Sequence, residues 1–444
     1  MDASQILNTL IIDIGIIGTL LLVGVVLRAY LRPLQWLLLP APVIAGMLGF
    51  LLGPNVAGIL PLSPMIGSYT TILIAAVFAS MAIAQDFTFS KISSEVRAFT
   101  GYGIAMSAGQ VLVGMLLALL ILDPLFDAPN FMGLILFAAW SGGFGTSAAM
   151  GDVFASQGQA EVTSVAFSAA TVGMLSGIIG GVILSRFGHS RGYARALKSS
   201  TTALPRSMRR GILERDERSA YATHTMSGSS METLGLHLAL IGAIVGVGGV
   251  VQSLSAERLN NFALPLFATA FLVGLIARFI LRRTNAMTVV DKGTTKAISG
   301  TASDILIVCG IASIEPRFVS AHLPALIAIF VLGIVFCLAL GVFVAPRYLG
   351  ETWFEKQIFT WGWATGSVAT GIALLRIVDP DLESGTVDEF GYAYIPLIPI
   401  EGAAVAVAPL IILAGLPWLV AIIWGLLAFV GVWLMVSAQK PGAA

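Results

Sequence analysis

Two short runs of Gly, Ser and Thr, each opened by Trp and set inside an apolar stretch, are the residues in this chain best suited to hold a ligand. The first is Trp140-Ser141-Gly142-Gly143-Phe144-Gly145-Thr146-Ser147, and the second is Trp361-Gly362-Trp363-Ala364-Thr365-Gly366-Ser367. At an offset of 221 positions Trp140 falls on Trp361, Gly145 on Gly366 and Thr146 on Ser367. Glycines leave backbone groups open to a ligand, and Ser141, Thr146, Ser147, Thr365, Ser367 and Thr370 add hydroxyls that donate and accept. In hydrocarbon, an unwound backbone is tolerated only where protein or a water-filled cavity satisfies its N–H and C=O groups. Interrupted segments in matching positions of two halves therefore point to a solute site near the bilayer midplane. A half-helix N-terminus after each tip aims unpaired N–H groups and a positive dipole end at an anion, while unwound carbonyls suit Na⁺. A single glycine-rich run also serves close helix packing, the reading that fits Gly173, Gly177 and Gly181 at four-residue spacing. Two runs at one offset, each in a segment too short to span, favour binding.

Ionisable groups at membrane depth are costly and functional by default. Asp304, in Ser299-Gly300-Thr301-Ala302-Ser303-Asp304, has small hydroxylated neighbours that would complete an oxygen shell for a cation. Glu401 follows Pro396 and Pro399, which free backbone carbonyls. Either acid is a candidate to coordinate Na⁺ or exchange a proton, or to be a structural carboxylate. Gln110 and Thr171 are weaker candidates for the same cation, since neutral polar residues in spans usually bond across helices. Asp13, near the outer end of the first apolar run, reads as a snorkelling or interface group. No Lys or Arg falls in the middle third of an apolar run, so an anionic solute would rest on dipoles, N–H groups and hydroxyls, with Arg376 a possible helper.

The elements that must position these residues are membrane helices. Hydrophobic residues make up 57% of 444 positions and charged ones 11%, and the mean hydropathy of +0.92 marks an all-α integral membrane protein. Lys plus Arg and Asp plus Glu number 24 each, which leaves no basic excess for nucleic acid. The two cysteines and four histidines show no metal-ligand spacing. Runs of about 20 apolar residues predict spans at 6–27, 35–53, 67–85, 98–122 and 162–187, then at 233–253, 262–281, 295–313, 321–345 and 391–415. A last span is predicted at 418–437. The first interrupted segment, 130–156, precedes the fifth span, and the second, 355–378, precedes the tenth. From Asn130 to Trp140 a helix rises roughly 16 Å, half of a core about 30 Å thick, so it reaches the midplane without crossing.

The expected architecture is two inverted five-helix repeats, each with a re-entrant broken hairpin, plus one extra C-terminal helix, about eleven spans in all. Its parts are a first repeat at 1–187, a basic cytoplasmic linker at 188–232, a second repeat at 233–415, and the extra helix with its tail at 416–444. An odd number of spans per repeat turns the second half upside down. The linker holds Arg191, Arg195, Lys198, Arg206, Arg209, Arg210, Arg215 and Arg218 and is cytoplasmic by the positive-inside rule. Counting from it places Arg28, Arg32, Lys91, Arg97, Arg282, Arg283, Lys292, Arg347, Lys356 and Lys440 inside too, with only Arg258 and Arg317 outside. The N-terminus is then external and the C-terminus cytoplasmic. The linker itself reads as a flexible tether.

From Gln110 to Ala148 the chain resembles the bacterial sodium/glutamate symporter family: Gln110, then Leu122-Asp123-Pro124, then Ser141-Gly142-Gly143-Phe144-Gly145-Thr146. Ser168-Ala169-Ala170-Thr171-Val172-Gly173 is similar to the family's following helix, and Leu39-Pro40-Ala41-Pro42-Val43 to its second. The resemblance covers the first half well and the second more loosely. It implies a Na⁺-coupled symporter of the inner (plasma) membrane that carries glutamate or a related small organic anion without a bound cofactor. It also implies hairpin-built sites, a homodimer, and an elevator-like movement of a transport unit against a scaffold. Phe144 stands where the family usually has His, and Gly366-Ser367-Val368-Ala369-Thr370 where its second tip usually reads Gly-Ala-Thr-Pro-Thr, which alters the contacts to solute. A cation/proton antiporter using Asp304 and Glu401 is the alternative, since such exchangers also use broken helices in inverted repeats. A passive channel fits half-hairpins meeting at one site less well. An enzyme is not expected: the chain has no phosphate-binding loop and no His-Glu-x-x-His.

Overall fold

The computed structural model describes residues 3–84, 93–194, 206–220, 222–258, 264–380 and 382–439. Lys91, Arg195, Lys198 and Lys440, all used in reading the chain, lie outside them. The regular structure among the described residues is helical throughout. Among the described residues, eight helices are long and apolar enough to cross a bilayer: Ser4–Tyr30, Pro64–Ala84, Ser94–Phe126, Glu161–Ser190, Thr233–Arg258, Lys292–Ala312, Leu323–Tyr348 and Pro417–Ala438. Thr386–Ala393 and Leu397–Leu413, bent by 58° at the intervening break, make a ninth if taken as one span. The chain is thus a multi-pass membrane protein.

Two of the expected spans are not straight helices. Residues 35–53 resolve into Arg32–Trp36 and Ala41–Leu52, separated where Leu38 takes a left-handed φ of 50° ahead of Pro40. Proline biases the residue before it away from the α region, so the chain restarts as a 12-residue helix with Pro42 in its first turn. Residues 391–415 bend because Pro396 lacks the N–H that would continue the preceding helix. Elsewhere the starts are those polar caps favour. Ser93, Asp291 and Ser367 each accept an N–H from the first turn of the helix they precede.

The chain forms two compact units, each drawn from both halves of the sequence. One comprises Met1–Arg28, Pro40–Phe87 and Ile212–Ile314. Its apolar cores include Ile17, Leu20, Ala45, Val308 and Ala312 in one cluster and Ala75, Ala79, Ile241, Ile244 and Ala270 in another. Asp13, read as an interface group, is 1% exposed there. Its carboxylate accepts from the Ser63 N–H at 3.0 Å, the Ser63 hydroxyl and the Tyr69 hydroxyl at 2.7 Å, which accounts for its burial. The linker is not a free tether over its last residues. The Thr223 hydroxyl donates to Asp291 at 2.7 Å and that of Thr225 to the Val289 carbonyl at 2.8 Å.

The other unit comprises Ala29–Leu39, Thr88–Gly211 and Glu315–Ala444, and it holds both interrupted segments. At its centre, Ser94–Leu117 is buried along nearly its whole length, and the C-terminal helix Pro417–Ala438 packs along it. Lipid offers no hydrophobic drive for helices to associate, so this contact depends on close approach of small residues. At Gly101 and Gly431 it is closest: a Cβ on Gly101 would lie 2.5 Å from the Gly431 carbonyl oxygen. Both long helices that precede the interrupted segments end alike, with a π-turn at Ala118–Leu122 or Leu340–Val344. A short helix then carries Pro124 or Pro346 at its second position. The widened turn accommodates a ring that would clash with the carbonyl four residues back.

Candidate functional site where two broken hairpins meet

Each interrupted segment is a pair of short helical arms. The first hairpin has arms Met132–Ala139 and Gly143–Ala155, and the second has Trp353–Thr365 and Val368–Val378. Trp140 closes the first arm by donating its N–H to the Leu136 carbonyl, and Gly142 donates to Phe137, so the carbonyls at the break are partly capped. Gly143 then takes a φ of +68°, which restarts the helix in a new direction and which an L side chain rarely adopts. A Cβ there would also lie 2.8 Å from the Gly366 carbonyl oxygen. The two tips, 223 positions apart in the chain, therefore touch within one unit.

Gln110, on Ser94–Leu117 and 0% exposed, joins the tips. Its Nε2 donates to the Ala364 carbonyl at 2.8 Å, at the end of the second hairpin's first arm, and also reaches the Cys337 Sγ at 3.5 Å. Its Oε1 accepts the Ser141 N–H at 3.3 Å. A buried amide in hydrocarbon has no water to fall back on, so these contacts hold both tips in one register.

Glu161–Ser190 backs both hairpins through its glycines. A Cβ on Gly173 would meet the Trp140 ring at 2.5 Å and the Thr365 carbonyl oxygen at 2.8 Å, and one on Gly180 would meet the Trp361 ring at 2.6 Å. Gly177 faces Thr365, and its carbonyl accepts the Trp361 indole N–H at 2.9 Å. The four-residue glycine spacing thus serves packing, as expected, but the packing is against the hairpin tips.

The hydroxyls at the tips divide into committed and open ones. Ser147 donates toward the Ala138 and Ala166 carbonyls at 3.3 Å, tying the first hairpin's arms to Glu161–Ser190. Thr365 donates to the Trp361 carbonyl at 2.6 Å, and Thr171, half-buried, to that of Phe167 at 2.9 Å. Ser367 is exposed and extended; its Oγ accepts the Thr370 N–H at 3.2 Å and lies 3.1 Å from the Thr370 hydroxyl. Gly142 and Gly145 are half-buried, and Thr146 lies against Gly142. The arm beginning at Gly143 has no side-chain cap, so the first-turn N–H groups that such a cap would occupy are left for another acceptor. Phe144 stacks on Phe167, ring centres 6.3 Å apart, and is 8% exposed.

The two acids belong to different units. Glu401 belongs to the hairpin unit, on Leu397–Ala406, a helix that packs on Gly143–Ala155. Its Oε2 accepts the Tyr394 hydroxyl at 2.7 Å, while Oε1 is buried without a hydrogen-bond partner among the described residues. Asp304 belongs to the other unit, on an exposed face of Lys292–Ala312. Among the described residues no three His, Cys, Asp or Glu side chains cluster as a metal would require.

Two features at the site escape reading of the sequence. Trp140 marks the helix break, yet its indole N–H is buried without a hydrogen-bond partner among the described residues while that of Trp361 is bonded. Lys356, counted among the cytoplasmic-side positive charges, is 2% exposed at the foot of the second hairpin and pairs with Glu389 at 2.8 Å. Only the folded arrangement of residues 33 positions apart reveals that pair.

No curated protein and no solved structure matches the chain. A family model described as sodium/glutamate symporter matches residues 4–378, a stretch that includes both broken hairpins and Gln110. The chain belongs to the sodium/glutamate symporter family.

Proposed function

We propose that this transporter couples Na⁺ entry to uptake of glutamate or a related small organic anion by alternating access, with the solute held where the two hairpin tips meet. The observation that carries the reading is the approach of Gly143 to the Gly366 carbonyl within a single unit. Two re-entrant tips meeting at one point form a site that neither half makes alone. The solute's carboxylate would sit at the uncapped N-terminus of Gly143–Ala155, where N–H groups and the dipole favour an anion. Ser141, Gly142, Gly143, Gly145, Thr146, Ser147, Thr365, Gly366, Ser367 and Thr370 form this site in the proposal. Phe144, packed on Phe167, gives it an apolar wall in place of the family's usual His.

Na⁺ would draw on oxygen ligands from Gln110, Thr171 and Glu401 in the hairpin unit, with Asp304 a separate candidate for coupling in the other unit. Two inverted repeats, at 1–187 and 233–415, underlie the arrangement in this reading, supported by the paired π-turns and prolines that precede both hairpins. The hairpin unit moves as the carrier and the other unit serves as the scaffold of a homodimer in the inner membrane, N-terminus outside and C-terminus inside. A cation/proton antiporter is a second reading, favoured by the unpartnered Glu401 Oε1.

Purified protein in liposomes, given labelled L-glutamate under an inward Na⁺, K⁺ or proton gradient, tests these readings. Uptake that requires Na⁺ supports symport. Na⁺–proton exchange without glutamate uptake, abolished in Glu401→Gln, supports the antiporter instead.

A further inference from the structure

We propose that a dehydrated monovalent cation of Na⁺ size binds inside the hairpin unit, below the tips, held by the hydroxyls of Ser107, Ser141 and Thr360 and the free lone pair of Gln110 Oε1. The proposal deepens the Na⁺-coupled reading and rests on it.

The starting observation is three buried hydroxyls without a hydrogen-bond partner among the described residues. Ser107 and Thr360 are each 0% exposed and Ser141 is 6% exposed. Serine and threonine in apolar helices ordinarily return their hydroxyl to the carbonyl one turn back. Other buried ones in this unit do so: Thr100 to Val96 at 2.8 Å and Ser185 to Gly181 at 2.7 Å. Ser107 and Thr360 depart from that pattern although each sits mid-helix with a carbonyl in reach. A buried polar atom left unsatisfied in hydrocarbon is costly, so each of the three marks a place where a further partner belongs.

Gln110 fixes where that place is. Ser141 is bonded to it directly through its N–H, Ser107 stands one helical turn before it, and Thr360 stands one turn before Ala364, whose carbonyl it holds. One turn is about 5.4 Å. The two helices run alongside each other here, since Tyr102 also donates to Gln357 Oε1 and both bonds join residues 254 or 255 positions apart. Ser107 and Thr360 both lie between those two bonds.

The chemistry selects the ligand. Both N–H groups of the Gln110 amide are engaged, with Ala364 and Cys337, but its Oε1 accepts only one bond and keeps a lone pair. Hydroxyl and amide oxygens without a carboxylate suit a singly charged hard cation and leave too little negative charge for a divalent one. A cation here would pull on both tips through Gln110 and Ser141, which ties its binding to the solute site above it.

The test uses the full chain. Thermal melting is measured across NaCl concentrations at constant ionic strength with choline, and Na⁺-driven L-glutamate uptake in liposomes is measured over the same range. Ser107→Ala and Thr360→Val are expected to raise the half-activating Na⁺ concentration on the order of tenfold, as loss of a metal-site interaction does. They should shrink the Na⁺-induced rise in melting temperature and leave the glutamate KM at saturating Na⁺ unchanged. Ser107→Thr and Thr360→Ser, which restore a hydroxyl, should recover Na⁺ activation and so separate ligand loss from misfolding. Unchanged Na⁺ activation in both hydroxyl-free variants would mean the hydroxyls hold only water, and would overturn the site. A wild-type protein that neither melts higher in Na⁺ nor takes up glutamate with it would overturn the symport reading along with the site. Na⁺-dependent melting that is lost in the variants, without glutamate uptake, supports the site and discards the solute.

Discussion

Gly143→Ala separates the contact between the hairpin tips from the strain of the backbone that makes it. Gly143 takes a φ of +68°, and an L side chain in the left-handed region costs about 1–2 kcal/mol wherever it occurs. The new Cβ would also lie 2.8 Å from the Gly366 carbonyl oxygen, where ordinary contact begins at 3.4 Å, so one tip must retreat by roughly 0.6 Å. Overpacking of that kind costs about 1–3 kcal/mol. The backbone strain burdens every folded state alike and lowers stability. The clash burdens only states in which the tips touch. If those are the states that bind solute, a clash of about 1–3 kcal/mol reduces their share and raises the apparent KM roughly 5- to 160-fold. Gly158→Ala is the matched control: its φ is +85° and nothing among the described residues lies within 4 Å of the added Cβ. Both variants should melt lower by similar amounts, and only Gly143→Ala should raise the uptake KM in liposomes. A Gly143→Ala protein with wild-type KM and the same loss of melting temperature as Gly158→Ala would refute the claim that touching tips form the site.

Three further outcomes are expected. Lys356→Met should destabilise the hairpin unit by about 3 kcal/mol, the low end for a broken buried pair because Glu389 keeps 20% of its side-chain exposure, and Lys356→Met/Glu389→Met should regain most of that on detergent melting curves. Burial pushes the Asp291 carboxyl up, but bonds from the Thr294 N–H and hydroxyl and the Thr223 hydroxyl outweigh it and bring it to about 2 against an ordinary 3.8. Its folded value is depressed, so its contribution is complete above about pH 4 and is lost as pH falls through about 2. Asp291→Asn should flatten melting temperature across that acid window, and an unchanged acid profile would show the carboxylate to be idle. Gly431→Leu should prevent assembly of the C-terminal helix with Ser94–Leu117, because its own Cβ position lies 2.7 Å from the Ala105 nitrogen; loss of monodisperse protein on gel filtration is the readout, and normal yield would contradict it.

The breaks in the two interrupted segments were legible because their signal is local: an apolar run that stops in Gly, Ser and Thr. Their meeting was foreseen from topology, but the residue that joins them was not. Gln110 read as a polar residue in a span, and nothing near it in sequence tells of Ala364, 254 positions on. The glycine ridge from Gly173 to Gly181 was read correctly as a packing surface, yet periodicity cannot name the partner that fills it. The break at Leu38 was missed because a left-handed leucine leaves no mark in composition; only Pro40 hinted at it. Asp13 was misjudged for a related reason. The groups that neutralise its cost, Ser63 and Tyr69, lie 50 or more positions away. Short-range chemistry was therefore readable, and long-range hydrogen bonding was not.

The π-turns at Ala118–Leu122 and Leu340–Val344 bear on the order of events in the chain's history. A π-turn is one extra residue absorbed into an α-helix, and inside a span it shifts the register of everything that follows by a residue. Here the two turns lie 222 positions apart, each followed by proline, and the hairpins after them 221 apart. If both halves arose by duplication, the simplest account is that the extra residue was already in the ancestor and was copied with it. The founding half-length protein would then have carried the kinked helix and its short hairpin together.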